Sequence, residues 1–142
     1  HDRLAEMGGK LIVRTLEELK SGTAPRIPQE GDTCYASMIS KEELLIDFTK
    51  PVVQVRDFIR AMSAAPCAYT MLDGKRLKVY GAKLSAKNYS GQPGEIADPD
   101  SFAVMCGDGA LEFTEIQAEG GKRMDVQAYL RGKKPAKGTI LG

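Results

Sequence analysis

The sequence predicts an α+β fold, mainly β: a sheet of five or six short strands that follows an N-terminal helix, a linker and a short helical segment. Three observations predict it. Residues 2–20 repeat apolar side chains at helical spacing. Residues 23–39 carry Pro25, Pro28 and Gly31 and few periodic apolar residues. From residue 69 onward, short runs of strand-forming residues alternate with Gly, Asp and Pro turn signals.

A chain of 142 residues, 42% hydrophobic and 27% charged, is long enough to bury a core and has the balance of a folded domain, not of a disordered tail. No apolar run approaches the roughly 20 residues of a bilayer span, and no signal-peptide pattern opens the chain. The sequence therefore reads as that of a soluble, cytoplasmic protein with no membrane partner. Cys34, Cys67 and Cys106 are odd in number, far apart and without a C-x-x-C pair, so they read as reduced, largely buried thiols. The only histidine is His1, and the chain does not begin with Met. It reads as a piece of something longer, with no catalytic triad and no metal site of its own.

Leu4, Met7, Leu11, Ile12, Leu16 and Leu19 form the apolar stripe of the first helix, and Gly22 is placed to end it. Gly8-Gly9 in its middle costs about 1 kcal/mol per Gly against Ala, which implies close packing or local weakness there. The structureless stretch 23–39 is long for a connection inside one compact domain, so it reads as a linker between modules. Ser40 and Glu43 form a capping-box pattern that starts a short helix at Lys41. Asp47-Phe48-Thr49-Lys50-Pro51 stops it, with Thr49 the expected N-cap of a second helix over residues 51–62, whose stripe is Val55, Phe58, Ile59 and Met62.

Asp73-Gly74 is a two-residue turn between strand-like runs, and it pairs Leu72 with Lys75. In the second strand Leu77 and Val79 point one way, and Arg76, Lys78 and Tyr80 the other. After a loop over 85–93, residues 94–97 read as a strand stopped by Asp98-Pro99-Asp100. Residues 101–106 read as the next, and Gly107-Asp108-Gly109 as a turn. Leu111, Phe113 and Glu115 form the inward side of a further strand to Gln117. Asp125 is placed to cap a short helix that Gly132 ends, and residues 138–141 read as a closing strand. This meander with a small helix before the last strand favours a small, open Greek-key β-barrel of the OB type.

Charge is arranged in blocks. Residues 73–90 carry Lys75, Arg76, Lys78, Lys83 and Lys87 against Asp73. Residues 91–121 hold seven carboxylates and no Lys or Arg, and residues 122–137 return six cations against Asp125. Such alternation suggests a basic and an acidic face on one body. The cationic strand face has two readings, a solvated face whose lysines confer solubility and a polyanion site. Lys122, Arg123 and Arg131, with Lys133, Lys134 and Lys137 behind them, are donors that suit phosphate oxygens if they share a face with the hairpin. Tyr80 and Tyr89 could stack on bases or serve as amphipathic packing. Asp98 and Asp100 are accounted for by turn chemistry. Gly107-x-Gly109 lacks the helix that would make it a dinucleotide loop.

Several stretches resemble the C-terminal part of the methionyl-tRNA formyltransferase family. HDRLAEMGGKLIVRTLEELKSG at 1–22 is similar to the last helix of that family's catalytic domain, and YASMISKEELLIDFTKP at 35–51 to the connection between domains. AYTMLDGKRLKVYGAK at 68–83 resembles the first hairpin, and GDGALEFTEIQAEGGKRMDVQAYLRG at 107–132 a later strand and the terminal helix. KRM followed by YLRG is the most specific part, since related formyl hydrolases and sugar formyltransferases are not expected to share it. The resemblance divides the chain into a terminal helix of a missing catalytic domain at 1–22, a linker at 23–39 and an OB-like C-terminal domain at 40–142.

The resemblance also implies the parent's activity, transfer of a formyl group from 10-formyltetrahydrofolate to the amino group of Met on initiator Met-tRNA. The catalytic Asn, His and Asp and the folate pocket would belong to a preceding Rossmann-like domain, so this stretch alone would be inactive and hold no cofactor. It would contribute a tRNA-binding surface of Lys75, Arg76, Lys78, Lys83, Lys122, Arg123 and Arg131. Two places depart from the family's pattern: Ala65-Pro66-Cys67, where an aromatic, Pro and Gly are common, and Phe48, where Trp is common. The alternatives are the C-terminal domain of a related folate-dependent formyl hydrolase or sugar formyltransferase and, of a different class, a scaffold module that only positions a catalytic domain and binds no nucleic acid.

Overall fold

The structure is a computed structural model and describes residues 2–142; His1 lies outside the described residues. The chain divides into two units, His1–Ser37 and Met38–Gly142. In the first, the predicted helix is α1, Asp2–Ser21, ended by Gly22 at φ 72°. Lys10 pairs with Glu6 and Arg14 with Glu18, one turn apart on its polar side. None of its described residues is buried, and nothing lies within 4 Å of where a Cβ on Gly8 or Gly9 would stand, so of the two expectations there, close packing or local weakness, the first is not found.

The second unit contains two helices, α2 (Val52–Met62) and α3 (Val126–Gly132). Its strands are β1 (Tyr69–Leu72), β2 (Lys75–Leu84), β3 (Ile96–Asp98), β4 (Ala103–Met105), β5 (Ala110–Ala118) and β6 (Met124–Asp125). All strand pairs are antiparallel, in the order β1-β2-β5-β4-β3, with β6 also on β5. The meander β3-β4-β5 returning beside β2 is the Greek-key order, so the mixed α+β class and the open sheet agree with the expectation. The sheet is not closed into a barrel. Residues 138–141 make a single bridge, Glu95 to Ile140, where a closing strand was expected. The tail still laces the two edges: Leu141 N–H donates to the Gly94 carbonyl and Gly142 N–H to that of Met71. No helix among the described residues is long and apolar enough to cross a membrane.

The capping box forms, with Ser40 N–H donating to Glu43 Oε2 at 2.7 Å and Glu43 N–H to Ser40 Oγ at 3.4 Å, but it opens only a single 3-10 turn, Glu42–Leu44. Thr49 does not cap α2. Its N–H and hydroxyl both donate to Asp47 Oδ1, and the first free N–H of the helix, that of Val52, is taken by Asp108 Oδ1 at 2.7 Å from the β4–β5 turn. Gly107 completes this junction. Its N–H donates to the Lys50 carbonyl, and a Cβ there would run into the carbonyl oxygen of Thr49. The Gly-x-Gly turn thus clamps the start of α2 to the sheet.

Val55 and Ile59 of α2 pack on the inner side of the sheet with Leu77, Val79, Phe113 and Ile116, and Leu130 of α3 joins them. Phe102 stands 5.1 Å from Phe113 and 6.3 Å from Tyr129, ring centre to ring centre. Between β2 and β5 the register slips at Tyr80 and again at Thr114, so β5 buries Leu111, Phe113 and then Ile116. Glu115, expected inward, is therefore turned outward. Cys67 and Cys106 are buried as expected, and Cys34 is exposed, contrary to expectation. Cys67 adopts φ 76° at a position where the resemblance expects Gly.

Candidate functional site

The hairpin is built as the turn dictates. Asp73 and Gly74 have φ 52° and 73°, Leu72 pairs with Lys75 and Met71 with Arg76. With Leu77 and Val79 buried, period two turns Arg76 and Lys78 outward. The Arg76 guanidinium lies 4.6 Å over the Tyr69 ring, and its backbone N–H donates to Glu119 Oε2. Arg76, Lys78, Gln117 and Glu119 line an open groove of about 510 Å³ on the outer side of β2 and β5. A smaller one of about 170 Å³ runs on the other side of Arg76, between Lys75, Glu119, Tyr129 and Lys133. Lys133 also lies 3.8 Å from Asp73, so the later part of the terminal basic segment reaches the hairpin.

The blocks of charge do not become separate faces. Antiparallel pairing lays β2 beside β5, and the acidic stretch neutralises much of the basic ones: Lys83 with Glu112 at 3.0 Å, Lys87 with Asp98 at 3.7 Å, Lys134 with Asp100 at 2.6 Å. Arg123 meets Glu115 through Nε and Nη2, both at 2.6 Å, and its guanidinium covers the Tyr80 ring at 4.2 Å. The paired guanidinium holds the Glu115 carboxyl below its usual range. Among the described residues, Lys75, Arg76, Lys78, Lys122 and Arg131 make no ion pair. Of the seven cations expected to form one surface, Arg76 and Lys78 line the larger groove on the outer side, while Lys75, which shares the side of Leu77 and Val79, lines the smaller groove with Arg76; Lys83 and Arg123 are held by carboxylates, and Lys122 and Arg131 are exposed but line neither groove.

Both tyrosines serve packing. Tyr80 donates to Gln117 Oε1 at 2.8 Å, and burial raises its phenol pKa; Tyr89 donates to Asp98 Oδ2 at 2.8 Å. The bond from Tyr89, the Asp100 N–H, the Ser101 hydroxyl and Lys87 bring the Asp98 carboxyl down to about 2, the turn chemistry expected of the Asp-Pro-Asp stretch. Burial pushes the Cys106 thiol up to about 12, so it is no nucleophile. No group of three or more His, Cys, Asp or Glu among the described residues could hold a metal ion.

Arg56 and Arg60, given no role from sequence, line a further groove of about 540 Å³ with Ser63, Tyr80 and Thr114. The available signal was their spacing: four residues apart, they share the polar side of a helix read for its apolar stripe.

Residues 38–134 match the formyl transferase C-terminal domain, and the chain belongs to that family. Over its whole length it is 40% identical to the methionyl-tRNA formyltransferases of Magnetococcus marinus and Syntrophus aciditrophicus, covering 46% of each. The chain thus spans about half the length of the curated relatives it matches. Among solved structures, HypX from Aquifex aeolicus superposes with a TM-score of 0.63 at 19% identity, over 89% of this chain and 24% of that one, a likeness of fold.

Proposed function

We propose that this chain is the tRNA-holding C-terminal part of a methionyl-tRNA formyltransferase, which moves a formyl group from 10-formyltetrahydrofolate to the amino group of Met on initiator tRNA. The observation that carries the reading is the set of three unpaired cations at the hairpin, Arg76 and Lys78 on the outer side of β2 and Lys75 beside the turn, in a chain that aligns over its whole length with about half of each methionyl-tRNA formyltransferase. Cations clustered at the end of a hairpin beside open grooves suit a phosphate backbone, which they position without reading sequence. In this reading residues 1–22 belong to the preceding Rossmann-like catalytic domain, 23–39 link, and 40–142 hold the substrate. The folate and the reacting groups lie on that other domain, so this chain supplies affinity and no chemistry.

Titrating labelled tRNA with the chain tests it. Three neutralised phosphates predict an affinity that falls roughly 20- to 40-fold between about 50 and 200 mM salt. Replacing Lys75, Arg76 and Lys78 together by Gln flattens that dependence. Binding that ignores salt, or is absent at the lower concentration, overturns the proposal.

A further inference from the structure

Arg56 and Arg60 stand one turn apart on α2, flanking the stripe of buried Val55 and Ile59, with Arg56 half-buried and Arg60 exposed. A single carboxylate serves both: Asp57 Oδ1 lies 2.7 Å from Arg56 Nη2 and 3.6 Å from Arg60 Nη2, leaving the cluster with an excess positive charge. The two guanidiniums border the groove of about 540 Å³ whose other wall includes Tyr80 and the Thr114 hydroxyl. Tyr80 connects this groove to the hairpin groove. Its ring lies under Arg123, and its hydroxyl donates to Gln117, which lines the hairpin groove beside Arg76 and Lys78.

Cations therefore border β2 near both of its ends, Arg76 and Lys78 by the hairpin and the α2 arginines beside Tyr80 and Gly81. From Arg76 to Gly81 the strand advances about 17 Å at about 3.3 Å per residue. The hairpin pair marks one end of that path and the α2 pair the other. Arg60, in the last turn of α2, also suits the helix dipole, but Arg56 in the middle has no such role.

We infer that Arg56 and Arg60 form a second phosphate-contacting site, so that an RNA backbone is held along β2 at both ends and not at the hairpin alone. The inference rests on the tRNA-holding reading above. Guanidiniums supply forked donors to phosphate oxygens, and the Ser63 and Thr114 hydroxyls add neutral donors in the same groove.

The test is tRNA titration across 50–200 mM salt with three variants of the chain. With the second site the parent chain's loss over that range is about eight times the 20- to 40-fold that the hairpin alone gives, and Arg56→Gln with Arg60→Gln removes two contacts, lowers the salt slope by about 1.5 and brings the loss back to the hairpin's share. Asp57→Asn releases both guanidiniums from their carboxylate and moves the result the opposite way, with tighter binding and a steeper slope, which a folding defect would not do. Lys75, Arg76 and Lys78 changed to Gln serves as the reference. If the hairpin variant weakens binding while the Arg56/Arg60 and Asp57 variants match the parent chain, the second site is overturned and the hairpin reading stands. If the parent chain fails to bind tRNA at 50 mM salt, both fall.

Discussion

Along β2, Leu77 and Val79 point inward and are buried, whereas their neighbours Arg76 and Lys78 point outward and make no ion pair among the described residues. The same alternation runs down β5, where Phe113 and Ile116 are buried and Glu115 faces out to Arg123. One strand pair thus carries the core on one side and the candidate contact surface on the other. Because an exposed charge adds little to stability and a buried aromatic much, the two sides are separable by mutation.

Phe113→Ala gives the largest expected effect. Phe113 is 1% exposed and packs on Phe102, so its removal costs about 3–5 kcal/mol, a large share of a domain's stability. The urea midpoint falls by that free energy divided by the slope, which stays unchanged. Replacing Lys75, Arg76 and Lys78 by Gln shifts stability by no more than about 0.5 kcal/mol per site. A hairpin variant as unstable as Phe113→Ala would erase the distinction between the two sides.

How much of this was legible depends on sequence distance. The hairpin could be read because Asp73-Gly74 specifies its turn, and the turn specifies which residues face out. The stripe of α2 could be read because four residues repeat at helical spacing. What could not be read is decided by distant partners. The cap of α2 comes from Asp108, 56 residues away, and Thr49, the locally better candidate, is already held by Asp47. Ile116 replaces Glu115 on the inner side because the β2–β5 register slips at Tyr80 and Thr114. The blocks of charge looked like two faces until strand pairing set Lys83 against Glu112 and chain folding set Lys134 against Asp100. For the candidate site, sequence located the hairpin cations but not which cations carboxylates would claim.

Where β3 ends, the comparison takes a pH-dependent form. Asp98 is the charge most firmly held by its surroundings, its carboxyl lowered from 3.8 to about 2. The folded form thus binds a proton less readily than the unfolded chain. The stabilisation, about 2 kcal/mol, is complete above pH 4 and is lost as the pH falls toward 2. Asp98→Asn removes that pH dependence, so urea midpoints of variant and parent converge between pH 4 and 2. A gap that stays constant over this range would show that Asp98 acts through neutral hydrogen bonds alone.

The inner side has one polar exception. Thr70, opposite Leu77 in the β1–β2 pair, is fully buried, and its hydroxyl has no hydrogen-bond partner among the described residues. A buried hydroxyl without a partner has given up its water and gained nothing in exchange, a cost of about 1–3 kcal/mol. Valine has nearly the same shape, suits a strand and puts a methyl where the hydroxyl was. Thr70→Val is therefore expected to stabilise the fold by about 1 kcal/mol, less than the full cost because the methyl must fit a space shaped for oxygen. The urea midpoint should rise at unchanged slope, while the tRNA affinity proposed for the opposite side should not change. A loss of stability would mean that Thr70 has a hydrogen-bond partner in solution and that the inner side is not uniformly apolar in its demands.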